Sequence, residues 1–138
     1  MGNSSSSVAR KIGMAANAFE RRRTGHKPTS VTVVLTGGTV LVTLKDALSP
    51  AEKAVAKSQA GAARVQELHR LLFANSADTL RQEIHRITGC QVREASAELE
   101  TTPGEATEFL TGTVVQVFLL DDRVPYETWS GTVAGDGL

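Results

Sequence analysis

The stretch that most restricts the fold is SVTVVLTGGTVLVTLKD, residues 30–46. Two β-branched runs flank Gly37-Gly38, and a glycine pair supplies the positive φ that a tight hairpin turn demands. The spacing predicts one strand over residues 31–35 and its partner over 39–44. Val31, Val33 and Leu35 fall on one face of the first, and Val40, Val42 and Leu44 on one face of the second. The opposite face is mostly threonine but carries Val34 and Leu41, so it is not wholly polar.

Helical signals surround this pair. Val8, Ile12, Ala15, Ala16 and Phe19 recur at helical spacing behind Ser7, a fair N-cap, and the helix is expected to stop in RRRTGHKP at Gly25 and Pro28. In SPAEKAVAK, Ser49 caps, Pro50 takes the first helical position and Glu52 lies three residues after the cap. That is a capping box. Gly61 is expected to break this helix from a longer one over residues 62–88, striped by Val65, Leu68, Leu72, Leu80, Ile84 and Ile87. Asn75-Ser76 interrupts the stripe and suggests a kink. Gly89 suits the left-handed closing position.

A strand over residues 91–101, the turn TTPGE and a last strand TVVQVFLL follow. The last strand is apolar on both faces, Val115, Val117 and Leu119 on one and Val114, Phe118 and Leu120 on the other. A strand of that kind is normally covered on both. Its second face therefore needs the first helix or another chain, which argues for a dimer or larger assembly. The expected fold is α+β: two β-hairpins forming a four-stranded antiparallel sheet with helices packed on it, in the order α-ββ-αα-ββ. The chain divides into a polar lead-in and basic helix (1–18), the α+β domain (19–120) and an irregular acidic and aromatic tail (121–138).

At 138 residues the chain suffices for one domain with a real core. No apolar run approaches a membrane span, no secretory leader is visible, and a single cysteine, Cys90, suits a reducing compartment. These features point to a cytoplasmic protein. Net charge is zero but unevenly spread. Residues 1–29 carry six Lys/Arg against Glu20 alone, whereas residues 94–138 carry nine Asp/Glu against Arg123. Such polarity steers an anionic partner to one end or favours contact between copies.

No catalytic set assembles. His69 and His85 share one helix about 24 Å apart, and His26 lies in a basic loop, so no metal site is expected. Cys90 follows a helix C-terminus, where the dipole disfavours a thiolate, and reads as a packing residue. No nucleotide or nucleophile motif is present, and no cofactor is expected. The remaining candidates are contacts. Arg21, Arg22, Arg23 and Lys27 suit phosphates, lipid headgroups or an acidic protein surface, though a solvated helix end accounts for them equally well. No aromatics interleave with them, so sequence-specific nucleic-acid reading is not expected. Tyr126 and Trp129, the single Tyr and Trp, are anchors for either a partner or their own domain. Gly2 after the initiator Met, with Ser6 four residues on, fits an acceptor for N-myristoylation. A polar lead-in ending at the Ser7 cap explains the same tract.

TGHKP, TVLVTLKDALSPAEKAVAKSQAG, VQELHRLLF, IHRITGCQV and VVQVFLL, in that order, resemble the MpsC-like family. These small domains take their name from a sodium-translocating, membrane-potential-generating system. The resemblance spans about residues 19–120 and brings no catalytic residues. Three functions follow as expectations. The first is a non-enzymatic structural or interaction subunit of an intracellular assembly, cytoskeletal or ciliary if the source is eukaryotic. The second, implied by the resemblance, is a peripheral accessory of a membrane ion-transport or potential-generating system. The third is a sensor of a small anionic ligand.

Overall fold

The computed structural model describes residues 7–102 and 109–132. Its elements run α1 (Val8–Thr24), β1 (Ser30–Lys45), α2 (Pro50–Val55), α3 (Gln59–Thr88), β2 (Val92–Thr102) and β3 (Phe109–Thr132). The fold is α+β, with an antiparallel sheet in the order β1-β3-β2 and α1 and α3 packed on the face that carries Val33 and Phe118.

The sheet has three strands where four were expected, and one strand, not two, separates the first helix from the second. β1 runs unbroken through Gly37-Gly38 because β3 bridges the bend: Leu35 faces Glu127, Gly37 faces Val124, and Thr39 faces Leu119. The glycine pair still turns the chain. Gly37 has φ +58°, and the Thr29 N–H donates to the Lys45 carbonyl at 2.9 Å. Sixteen residues drawn straight would part those ends by roughly 50 Å. The β1 arms therefore fold back at the expected place, while β3 follows both.

The stretch from 121 to 132 is not irregular. It continues β3, with Trp129 facing Val33 and Gly131 facing Val31. Pro125 falls inside the register break between Val124 and Glu127, where its missing N–H removes no ladder bond. Residues 133–138 lie outside the described residues, as do residues 1–6 and hence Gly2 and Ser6.

The helix ends follow local chemistry. Ser7 accepts the Arg10 N–H, and Gly25 closes α1 at φ +77°. Ser49 and Glu52 complete the capping box of α2. The break between α2 and α3 comes before Gly61, at residues 56–58, with Ser58 capping α3. Gly61 is needed for another reason: a Cβ there would lie 1.8 Å from the Val55 carbonyl oxygen. α3 stays helical through Asn75-Ser76, where the Ser76 hydroxyl donates to the Leu72 carbonyl, and ends at Gly89 with φ +79°. Cys90 is buried beyond it.

The core lies between the helices and one sheet face. Val31, Val33, Leu35, Val40, Val42 and Leu44 of β1 meet Val114, Phe118 and Leu120 of β3 there. A chain of rings ties the layers: Phe19 of α1 to Phe73 of α3, and Phe73 to Phe118, each with centroids 6.1 Å apart. Edge-on and tilted geometries of this kind add to the burial itself. On the other face, opposite the one where α1 meets Val33 and α3 meets Phe118, Leu41, Val115, Val117 and Leu119 remain half-buried.

Candidate functional site

The basic cluster sits where α1 ends beside α3. Helical geometry carries Ala9, Ile12, Gly13, Ala16, Phe19 and Glu20 along the buried side of α1. Glu20 continues this stripe four residues after Ala16, so a carboxylate enters the interior in phase with the apolar residues. Arg23, one turn later, follows it. Its Nη2 donates to Glu20 Oε1 at 2.5 Å, and its guanidinium lies 5.5 Å from the Phe19 ring centroid. The Arg23 side chain is 4% exposed and Glu20 fully buried. Among the described residues Glu20 Oε2 and the Arg23 Nε and Nη1 find no hydrogen-bond partner. A buried charge left with unmet hydrogen bonds is costly, and such groups stand out as candidates for function.

The three arginines thus divide. Arg23 is internal, while Arg21 and Arg22 are exposed, as is Lys27. Arg22 lines the cleft between α1 and α3 together with Phe19, Arg23, Leu72, Asn75 and Thr79, around a cavity of about 370 Å³. Arg21 and Lys27 line a neighbouring hollow around the α1 C-terminus. His26 anchors the loop that follows, its Nε2 2.9 Å from the Asp46 carbonyl oxygen.

Tyr126 and Trp129 also part company. Tyr126 is 73% exposed. The Trp129 indole lies against α1: a Cβ on Gly13 would sit 2.4 Å from its Cζ3, and one on Gly131 2.5 Å from its Cζ2. Two bare backbones thus make room for one ring, and Trp129 fastens the last strand to the first helix. Glu127 strengthens that joint by accepting the Ala9 N–H at 2.8 Å. A carboxylate at a helix N-terminus satisfies a free donor and meets the positive end of the dipole. Neither partnership has a local sequence signal, because 118 residues separate Ala9 from Glu127.

A second polar centre joins α2 to α3. His69 is buried, and its Nε2 lies 2.9 Å from Glu52 Oε2. Burial pushes the Glu52 carboxyl up, but the Ser49 N–H and the His69 ring outweigh it and hold its pKa below the usual carboxylate value. The residue that completes the capping box therefore also docks α2 on α3. His85 likewise contacts backbone, Nδ1 to the Cys90 carbonyl at 3.1 Å. Gln116 of β3, absent from the sequence expectations, is fully buried, and among the described residues neither amide atom has a partner. Among the described residues no group of three or more His, Cys, Asp or Glu is placed to hold a metal ion.

The arrangement offers cationic and apolar surface around a small cleft. A search of curated proteins and a search of solved structures each returned no match. The family model described as the Na+-translocating membrane potential-generating system (MpsC) matches residues 4–122. That span runs from the lead-in to just beyond the first half of β3, and with it the chain belongs to the MpsC family.

Proposed function

We propose that the protein is a peripheral, non-enzymatic accessory of a Na+-translocating, membrane potential-generating system. The observation that carries this reading is the family match over residues 4–122. No helix among the described residues is long and apolar enough to cross a membrane, which suits attachment through contacts at its surface. The histidines are spent on structure, His69 on Glu52, His26 on the Asp46 carbonyl and His85 on the Cys90 carbonyl, which favours a binding role. A cytoskeletal or ciliary role draws no support from the family and is set aside. The test is isolation of the tagged protein from its native cells in mild detergent. The accessory reading expects membrane-embedded Na+-translocating subunits to come with it.

The half-buried Leu41, Val115, Val117 and Leu119 favour one addition, that two copies pair through the open sheet face. Native mass measurement tests it: wild type is expected as a dimer and Val117→Glu as a folded monomer. A monomeric wild type would remove this addition and leave the accessory role standing.

A further inference from the structure

The α1–α3 cleft continues into a surface that is both cationic and apolar. α1 and α3 run antiparallel, since Arg22 lines one hollow with Leu72 and Asn75 while Ala15 lines the next with Leu80 and Glu83. Leu68 and Leu71, one turn and one residue before Leu72, are 45% and 51% exposed. Large aliphatic side chains left this open next to one another on a helix usually have a use. At about 100° per residue, Arg64, Leu68, Leu71, Asn75, Gln82 and Arg86 fall in one sector of α3, a sector without a carboxylate. Glu67 and Asp78 lie past Leu71 toward β2, where Glu67 meets Arg70. Arg21, Arg22, Lys27 and Arg64 make no ion pair among the described residues, so their charge faces outward uncompensated. Glu83, at the far end of the cleft, is engaged by Arg86.

We propose that this surface docks on an anionic phospholipid bilayer, with a lipid phosphate held at the mouth of the cleft and Leu68 and Leu71 against the acyl boundary. Exposed leucines beside unpaired arginines match the two attractions of such a surface, apolar burial and charge. The cleft adds a place for the headgroup. Its polar wall is Arg22, Arg23, Asn75 and Thr79, its apolar wall Phe19 and Leu72, and about 370 Å³ is ample for a phosphate ester. Arg23, almost wholly buried, still has two donor nitrogens without acceptors among the described residues. The proposal deepens the accessory reading and rests on it for its setting.

Cosedimentation of the full chain with vesicles tests it without any partner protein. Wild type is expected to bind phosphatidylcholine vesicles containing phosphatidylglycerol at least tenfold better than phosphatidylcholine alone, less so at high salt. Arg21→Gln/Arg22→Gln is expected to weaken binding by roughly 25-fold, taking about fivefold for each charge at an anionic membrane. Leu68→Asn/Leu71→Asn is expected to weaken it comparably. Arg81→Gln/Arg123→Gln, which removes equal charge elsewhere, is expected to stay within about twofold of wild type. Circular dichroism of each variant checks folding; five of the six positions are exposed and Arg81 is half-buried. Equal binding to both vesicle types, equal losses in the two arginine pairs, or no sedimentation would overturn the proposal. So would a thermal shift with inorganic phosphate in a protein that ignores vesicles, which would make the cleft a soluble-anion site. Failure here leaves co-isolation with membrane subunits in detergent untouched, so the two readings fall separately.

Discussion

The Glu127 carboxylate accepts the N–H of Ala9 at 2.8 Å, tying the far half of the last strand to the first turn of the first helix. Two residues on, Trp129 lies on Gly13 of the same helix. The chain's first and last described elements thus hold each other, and the stretch beyond residue 120 belongs to the fold. Glu127→Ala is expected to cost about 0.5–2 kcal/mol, the range of a lost N-terminal cap, and Glu127→Gln less, since an acceptor remains. Thermal unfolding measures both, at about 3–5 °C per kcal/mol for a chain of this size.

Gly13→Ala is expected to destabilise by about 1–3 kcal/mol, the cost of overpacking, because the new methyl would meet the Trp129 ring. Trp129→Phe shortens that ring. In its background the Gly13→Ala cost is expected to shrink, and a double-mutant cycle on urea unfolding reads the coupling. Strictly additive costs would mean that the two do not touch.

Gly61 meets backbone, which cannot rotate away. Gly61→Ala forces the Val55 carbonyl to move and is expected to cost about 2–4 kcal/mol. Ala60→Gly, one residue earlier and exposed, is expected to cost no more than about 1 kcal/mol. Denaturant midpoints of the pair separate close approach from simple helix propensity.

Gly37 and Gly38 are distinguishable in the same way. Gly37 holds φ +58° with open space around it, so Gly37→Ala is expected to cost about 1–2 kcal/mol through its backbone alone. A Cβ at Gly38 would make ordinary contacts of 3.4 and 3.5 Å, and Gly38→Ala is expected to cost less. Thermal unfolding of the two variants decides between them.

What was legible in the sequence was chemistry acting over a few residues. Ser7, Ser49 with Glu52, Gly25 and Gly89 each cap where their residue types demand, and the Gly37-Gly38 bend falls where expected. Strand count was not legible, because it depends on β3 spanning the bend from Leu119 to Val124, a pairing eighty residues away in sequence. The strand beyond Leu120 was hidden by Pro125 and by a register break that interrupts alternation. At the site, the arginine cluster was visible as composition, but its division was not. Only tertiary packing turns Arg23 inward onto Glu20 and leaves Arg21 and Arg22 outside.

Glu52 makes stability depend on pH in the acid range. Its pKa lies below the ordinary 4.5, so the folded state holds fewer protons there than the unfolded state. Its contribution is fully present above the unfolded value of about 4.5 and is lost as pH falls through the lowered folded value. Urea unfolding from pH 7 to 3 is expected to show Glu52→Gln less stable near neutrality and closer to wild type at the acid end. A constant difference at all pH values would mean that ionised Glu52 stabilises the fold no more than protonated Glu52 does.

The most direct test of the central claim is the composition of the complex isolated with the tagged protein in mild detergent from its native cells. The accessory role of this MpsC-family chain predicts stoichiometric membrane-embedded subunits of a Na+-translocating system in that complex, together with a lower Na+-dependent membrane potential when the chain is deleted. A protein recovered without membrane subunits, from cells whose potential is unchanged by its deletion, would contradict it.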